Sequence, residues 1–159
     1  MLEWNTKKIN DGDAILRMIA KMCGLSGQGI FEQAQADAIF SAMNALVFSI
    51  VEYVKIKLSS KHQTNFETFN GMYFTIFEPA IRKYFGILEE YASKQTSNGF
   101  FLSSGISFVD FAMFHLFDFL QKLHPNLFKQ FPKCQAIVYR VSNLPKFQKY
   151  LKVKQKPLH

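Results

Sequence analysis

The stretch from Phe108 to Leu123 constrains the fold more than any other part of the chain. Phe108, Val109, Phe111, Met113, Phe114, Leu116, Phe117, Phe119 and Leu120 put apolar side chains on nearly every side of a helix. A helix of that kind has to be enclosed by other elements. Its start is signalled as well. Ser107 is placed as N-cap, and Asp110, three residues on, can accept from the backbone N–H of the cap. The pair makes a capping box in which Asp replaces the usual Glu or Gln. Ile106 before the cap and Phe111 after it are spaced as a hydrophobic staple.

The flanking segments supply the surrounding helices. Ile30–Ser59 reads as one long helix and Phe66–Lys94 as a second, bent where Pro79 removes a backbone donor. The polar run from Ser59 to Asn65 separates them, 95–99 is a loop, and 100–105 is irregular. Pro132 suits the first position of a helix over 133–142, and Leu144-Pro145 opens a last helix reaching about Leu151. At the other end, Met1–Trp4 and Lys7–Ile9 read as short extended pieces around a turn at Asn5-Thr6. Asp11-Gly12-Asp13 then turns the chain into a helix over 14–22. Gly24, Gly27 and Gly29 stop that helix, so 25–29 is the natural linker. The expected architecture is all-α: a helical domain over 30–159 preceded by a small hairpin-plus-helix unit over 1–23. With 159 residues there is enough chain to bury a core, and 18 Phe make that core rich in rings.

Several function classes are disfavoured. Ala38 to Val54 is the nearest approach to a membrane span, but it is short, carries Ser41 and Asn44, and is stopped by Glu52. Asp37, Ser41, Asn44, Glu52, Lys55 and Ser59 fall near one face, the pattern of a soluble amphipathic helix. No membrane partner is expected. After Asp118 the chain has no acidic residue but carries Lys122, Lys129, Lys133, Arg140, Lys146, Lys149, Lys152, Lys154 and Lys156. Because these alternate with Phe128, Phe131, Val138, Phe147 and Leu151, they read as solvated helix faces, and no nucleic-acid partner is expected. Cys23 and Cys134 form no CxxC pattern, and the polar N-terminus has no secretory character. Both features point to a reducing, cytoplasmic setting.

Four segments in order carry a family resemblance: MLEWNTKKINDGDAILRMIAKMCGL, EQAQADAIFSAMNAL, SGISFVDFAMFHLFDFL and RVSNLPKFQKYLKVKQKP. The first resembles the last hairpin and third helix of the thioredoxin-like domain of sigma-class glutathione transferases. The others are similar to the first long helix, the buried capped helix and the closing helices of that family's C-terminal domain, with a nematode flavour. The resemblance implies a remnant of the thioredoxin-like domain followed by the helical domain. It also implies conjugation of glutathione, a co-substrate, to hydrophobic electrophiles. The tyrosine that stabilises the glutathione thiolate in the family belongs to a segment outside these residues, so no catalytic residue is assigned and the chain alone is expected to be inactive. The alternative is a non-catalytic helical module that holds apolar ligands or a partner subunit. A homodimer is among the partners the resemblance implies.

Site residues follow position by position. Where the family holds the γ-glutamyl group of glutathione with a Gln-Ser or Glu-Ser pair, this chain has Asp11 and Gly12. Asp11 keeps a carboxylate for an ammonium, whereas Gly12 lacks the hydroxyl. The same Asp-Gly pair also reads as a plain turn and cap. The family's apolar-ligand pocket maps to the side of the first long helix bearing Asn44 and Val47. Acidic residues that hold a cation in some relatives are replaced here by Ser41, Asn44 and Ala45, so no metal is expected. His115 reads as a hydrogen-bonded core histidine, Cys23 as structural, and Asp118 as solvent-facing or paired with a lysine.

Overall fold

The computed structural model describes residues 1–59, 70–94 and 98–154. The expected break after Ser59, the helix start at Phe66, part of the 95–99 loop and the tail beyond Lys154 lie outside the described residues. Strands β1 (Leu2–Trp4) and β2 (Lys7–Ile9) form an antiparallel hairpin with Leu2 opposite Ile9 and Trp4 opposite Lys7. Asn5 turns it at φ 55°, a left-handed conformation that Asn tolerates better than most residues. Helix α1 runs Gly12–Met22, starting two residues earlier than the apolar spacing indicates, because Asp11 caps it. Helix α2 spans Gly29–Leu58, so Gly29 belongs to the helix rather than to the linker.

The expected bend at Pro79 takes a specific form. Tyr73–Phe77 is a π-helical turn, and the Glu78 N–H donates to the Tyr73 carbonyl five residues back. Pro79 has no N–H to give, and its ring crowds the preceding turn; one wide turn relieves both problems without breaking the helix. Helix α3 (Glu78–Lys94) continues from it. Helix α4 (Phe108–Leu123), a 3₁₀ turn (Leu127–Gln130), α5 (Pro132–Ser142) and α6 (Pro145–Lys154) complete the described chain.

Helix α4 lies at the centre, packed against α1, α2 and α5, while α3 closes the bundle against α2 and α5. Its Val109, Met113 and Leu120 are fully buried. The core is built from rings: Phe85, Phe117 and Phe128 meet with centroids 4.4 to 6.4 Å apart, and Tyr53 lies 4.6 Å from Phe77. Some rings stay outside, notably Phe31, Phe48 and Phe74. By length and composition α2 does pass as a membrane span, contrary to the sequence reading. Here, however, Ile39, Met43, Leu46, Ile50 and Tyr53 commit one side of it to the core.

Three carboxylates tie loops to helices. Asp110, fully buried, accepts from the Ser107 N–H at 2.8 Å, the Ser107 hydroxyl at 2.8 Å and the Phe101 N–H at 3.0 Å. Burial outweighs these donors and raises its pKa. Glu89 of α3 accepts from Lys133 N–H (2.7 Å) and Cys134 N–H (2.9 Å), capping α5, where Phe131 makes no side-chain cap. Glu32 accepts from the Ser103 hydroxyl, Ser104 N–H (3.0 Å) and Gln28 N–H (2.8 Å), clamping the linker and the 103–104 loop onto α2. Gly27 sits inside that clamp at φ 90°, where a Cβ would come within 2.9 Å of Leu102 Cδ1.

Asp110→Ala strands buried donors around an empty acceptor position. It should cost about 3 kcal/mol in denaturant unfolding; a loss under about 1 kcal/mol would show the box to be dispensable. The donors around Glu32 lower its pKa to about 2, below the ordinary 4.5. Its contribution to stability is therefore complete above pH 4.5 and lost as pH falls towards 2. Carboxyl titration by NMR should place Glu32 near 2 and move it upward in Ser103→Ala.

Candidate functional site

Helices α1 and α2 meet through two polar links. Asn44 Nδ2 donates to Asp13 Oδ2 at 2.7 Å, and Arg17 pairs with Asp37 at 2.7 Å while its guanidinium lies 5.3 Å from the Phe40 ring centre. The pairings 13–44 and 17–37 run the two helices antiparallel. Polar residues on α2 that read as a solvated face are thus partly spent on holding α1.

This places Asp11 and Gly12 beside Asn44, with Asp13 as the bridge. Asp11 Oδ1 accepts from Ala14 N–H at 2.7 Å, so its carboxylate acts as helix cap. Gly12 is exposed, and a Cβ built on it meets nothing within 4 Å. A hydroxymethyl group therefore fits where the chain has none. The first N–H groups of α1 carry the positive end of the helix dipole, and Asp11 and Asp13 flank them with negative charge. Such a corner suits a group bearing a carboxylate and an ammonium together. Val47 lies one turn beyond Asn44, exposed alongside Phe48 and Val51.

At the C-terminal end of α1 a cavity of about 720 Å³ opens between the linker, the start of α4 and the start of α6. Cys23, Leu25, Ile106, Phe111, Leu144 and Phe147 line it. Ile106 and Phe111, spaced as a staple, are both in this wall. Cys23 is exposed as the last cap of α1, while Cys134 is buried and its thiol pKa pushed up by burial and by Glu89. Among the described residues no group of three or more His, Cys, Asp or Glu is gathered as a metal site.

His115 does not sit where the sequence reading puts it. His115 is exposed on α4, not a core residue, and shares its side of the helix with the exposed Phe119 one turn on. Asp118 pairs with Lys122 at 2.7 Å. The enclosed histidine is His124, the C-cap of α4, whose Nε2 lies 2.7 Å from the Tyr53 hydroxyl. Burial, with Lys57 nearby, lowers its pKa to about 4, and burial raises Tyr53 to about 12. The sequence hint was its place directly before Pro125, which forces a helix end.

Residues 61–154 match the family profile described as glutathione S-transferase, C-terminal domain. The chain belongs to the glutathione S-transferase family. A glutathione S-transferase of Plasmodium yoelii yoelii is 26% identical over 87% of this chain and 59% of its own length. A probable glutathione S-transferase 6 of Caenorhabditis elegans is 27% identical over 95% of this chain and 71% of its own. The chain thus spans about three fifths of the length of the first of these. Two nematode structures share the fold. The Necator americanus enzyme Na-GST-3 superposes with a TM-score of 0.85 at 22% identity, covering 99% of this chain and 74% of its own. The Ascaris lumbricoides glutathione S-transferase gives 0.86 at 17%, covering 98% and 73%. Other relatives are described as Mu, Nu and Pi class, so the glutathione S-transferase assignment holds at the level of the family.

Asn44→Ala should cost about 1–2 kcal/mol by leaving a half-buried Asp13 carboxylate unpaired. The loss should appear as faster amide exchange in α1 and not in α4. Gly12→Ser should be neutral or stabilising by about 0.5 kcal/mol, since Gly is a poor helix former and the added side chain meets open space; a drop in melting temperature would contradict that placement.

Proposed function

We propose that this glutathione S-transferase-like chain is the helical half of a cytoplasmic, sigma-type enzyme of nematode flavour. On this reading residues 1–23 are the closing part of a thioredoxin-like domain, and 30–159 the helical domain. Glutathione is then held at its γ-glutamyl end by the corner at Asp11 and Gly12, with its thiolate supplied to an apolar electrophile lodged near Asn44 and Val47. The observation that carries the reading is the half-built state of this side of the molecule. The hairpin has two strands only, Ala20 is the one described residue of α1 that is buried, and Ile19 and Met22 stay exposed beside the apolar cavity.

A sheet edge and a helix face left open in this way are normally covered. On this reading the apolar cavity between α4 and α6 is surface that a thioredoxin-like half would cover. The exposed Val47, Phe48 and Val51 on α2 offer an apolar strip for a second subunit. Glutathione is a co-substrate here, and no resident cofactor or metal is required. The competing reading, a helical module that holds apolar ligands or a partner without catalysis, is favoured by the Asp11 carboxylate, which is already engaged as a cap.

Titration calorimetry with glutathione, run beside a conjugation assay, separates these readings. The 159-residue chain should neither bind measurably nor turn over. Addition of a separately produced thioredoxin-like half from a relative should restore saturable binding, which Asp11→Ala then weakens. Binding and turnover by the chain alone would overturn the half-site reading, and failure of restoration would favour the non-catalytic module.

A further inference from the structure

The end of the bundle away from the capping box holds a second cavity, of about 410 Å³, that the family reading does not use. Its walls come from the π turn and α3 (Tyr73, Glu78, Arg82), the C-cap of α4 (His124) and the 3₁₀ turn (Lys129, Gln130). The ring of Tyr73 lies 5.0 Å from that of His124, and Phe77 backs His124 at 4.8 Å, so one wall is flat and aromatic. The rim is cationic. Arg82 and Lys129 line it against the single carboxylate of Glu78, which Arg82 grips through Nε (3.0 Å) and Nη2 (2.7 Å), while Arg82 Nη1 reaches Gln130 Oε1 at 3.4 Å.

The hydrogen bonds of His124 fix its tautomer. Lys57 Nζ lies 3.4 Å from Nε2 and an ammonium can only donate, so an Nε2–H facing it is disfavoured and the Nε2 lone pair takes its short hydrogen bond, 2.7 Å, from the Tyr53 hydroxyl. The neutral ring then carries its proton on Nδ1. Among the described residues no protein acceptor for that N–H is found, and no unsatisfied side-chain atom is sealed from solvent, so the N–H is open to solvent. His124 lines this cavity.

We propose that this cavity binds a small carboxylate with a flat apolar body, the carboxylate taken by His124 Nδ1–H, Arg82 and Lys129 and the body resting on the Tyr73 ring. A neutral N–H beside two cations, in a wall half withdrawn from water, suits an anion's oxygens better than a cation or a neutral amide. The π turn serves this geometry, since the extra width at Tyr73–Phe77 sets Tyr73 facing the α4 cap. Among the described residues, the groups facing His124 from the surrounding elements are Tyr53 and Lys57 of α2 and Tyr73 of the π turn, with Glu78, Arg82 and Lys129 at the cavity rim. All but Glu78 are neutral or positive at pH 7.

Benzoate is the probe and benzamide its neutral control, followed by the imidazole signals of His124 in NMR on the full chain. Benzoate should shift those signals saturably and raise the His124 pKa from about 4. Benzamide should bind at least about tenfold more weakly, the worth of one charged hydrogen bond. Arg82→Gln, on the exposed face of α3, should weaken benzoate by a similar factor because Glu78 then stands uncompensated; Lys129→Gln should weaken it less. Tyr73→Leu should weaken both compounds. Equal binding of benzoate and benzamide, or no saturable shift at His124 in a folded protein, would overturn the proposal.

Discussion

The Asp110 carboxylate gathers the Ser107 N–H, the Ser107 hydroxyl and the Phe101 N–H in a place without water. Each of those donors would be costly to bury alone, and a lone carboxylate more costly still, so the group is stable only as a set. The set fixes where α4 begins and how the 100–106 segment approaches it. The first N–H of α4, on Phe108, then donates to the Leu25 carbonyl at 2.8 Å, which moors the linker. From the linker the geometry passes to α1 on one side and, through Glu32, to α2 on the other. The position of the candidate site at the head of α1 is thus traceable to one buried carboxylate some distance away.

What could be read from the sequence follows from how local each interaction is. The box at Ser107 and Asp110 spans three residues, and the all-round apolar run behind it needs no knowledge of neighbours to be assigned to the centre. The helices themselves were legible from periodicity and from Gly and Pro positions. Asn44 was not legible as a tether, because its partner Asp13 lies 31 positions away and only the antiparallel crossing of α1 and α2 joins them. Glu89 is similar: nothing near it in sequence says that it caps a helix more than forty positions later. His115 was misplaced in the core, and His124 passed over, for a related reason. Both sit in or beside the same apolar run, and only the packing of α2 and the π turn decides which ring is enclosed. Where a bend at Pro79 was expected the structure has a π-helical turn over Tyr73–Phe77, because whether a helix kinks or widens depends on the turn before the proline.

The two cavities differ in what surrounds them. The apolar one beside Cys23 and Phe147 lies among unfinished surface, the open hairpin and the bare face of α1, and its chemistry is that of an interface. The polar one beside His124 is framed by π, α and 3₁₀ turns that meet from different parts of the chain. Its Arg82, held by Glu78 and Gln130, and its His124, held by Tyr53 and packed on Tyr73 and Phe77, have defined partners, as the proposed carboxylate site requires.

The central claim is that the Asp110 set opens only when the whole bundle opens. Native-state hydrogen exchange of the Phe101 and Ser107 amides tests it most directly, compared with Met113 and Phe117 in the middle of α4. The account predicts equal protection at all four, set by global unfolding and falling together with added denaturant. Exchange at Phe101 and Ser107 through a local opening, insensitive to denaturant while Met113 stays protected, would contradict it.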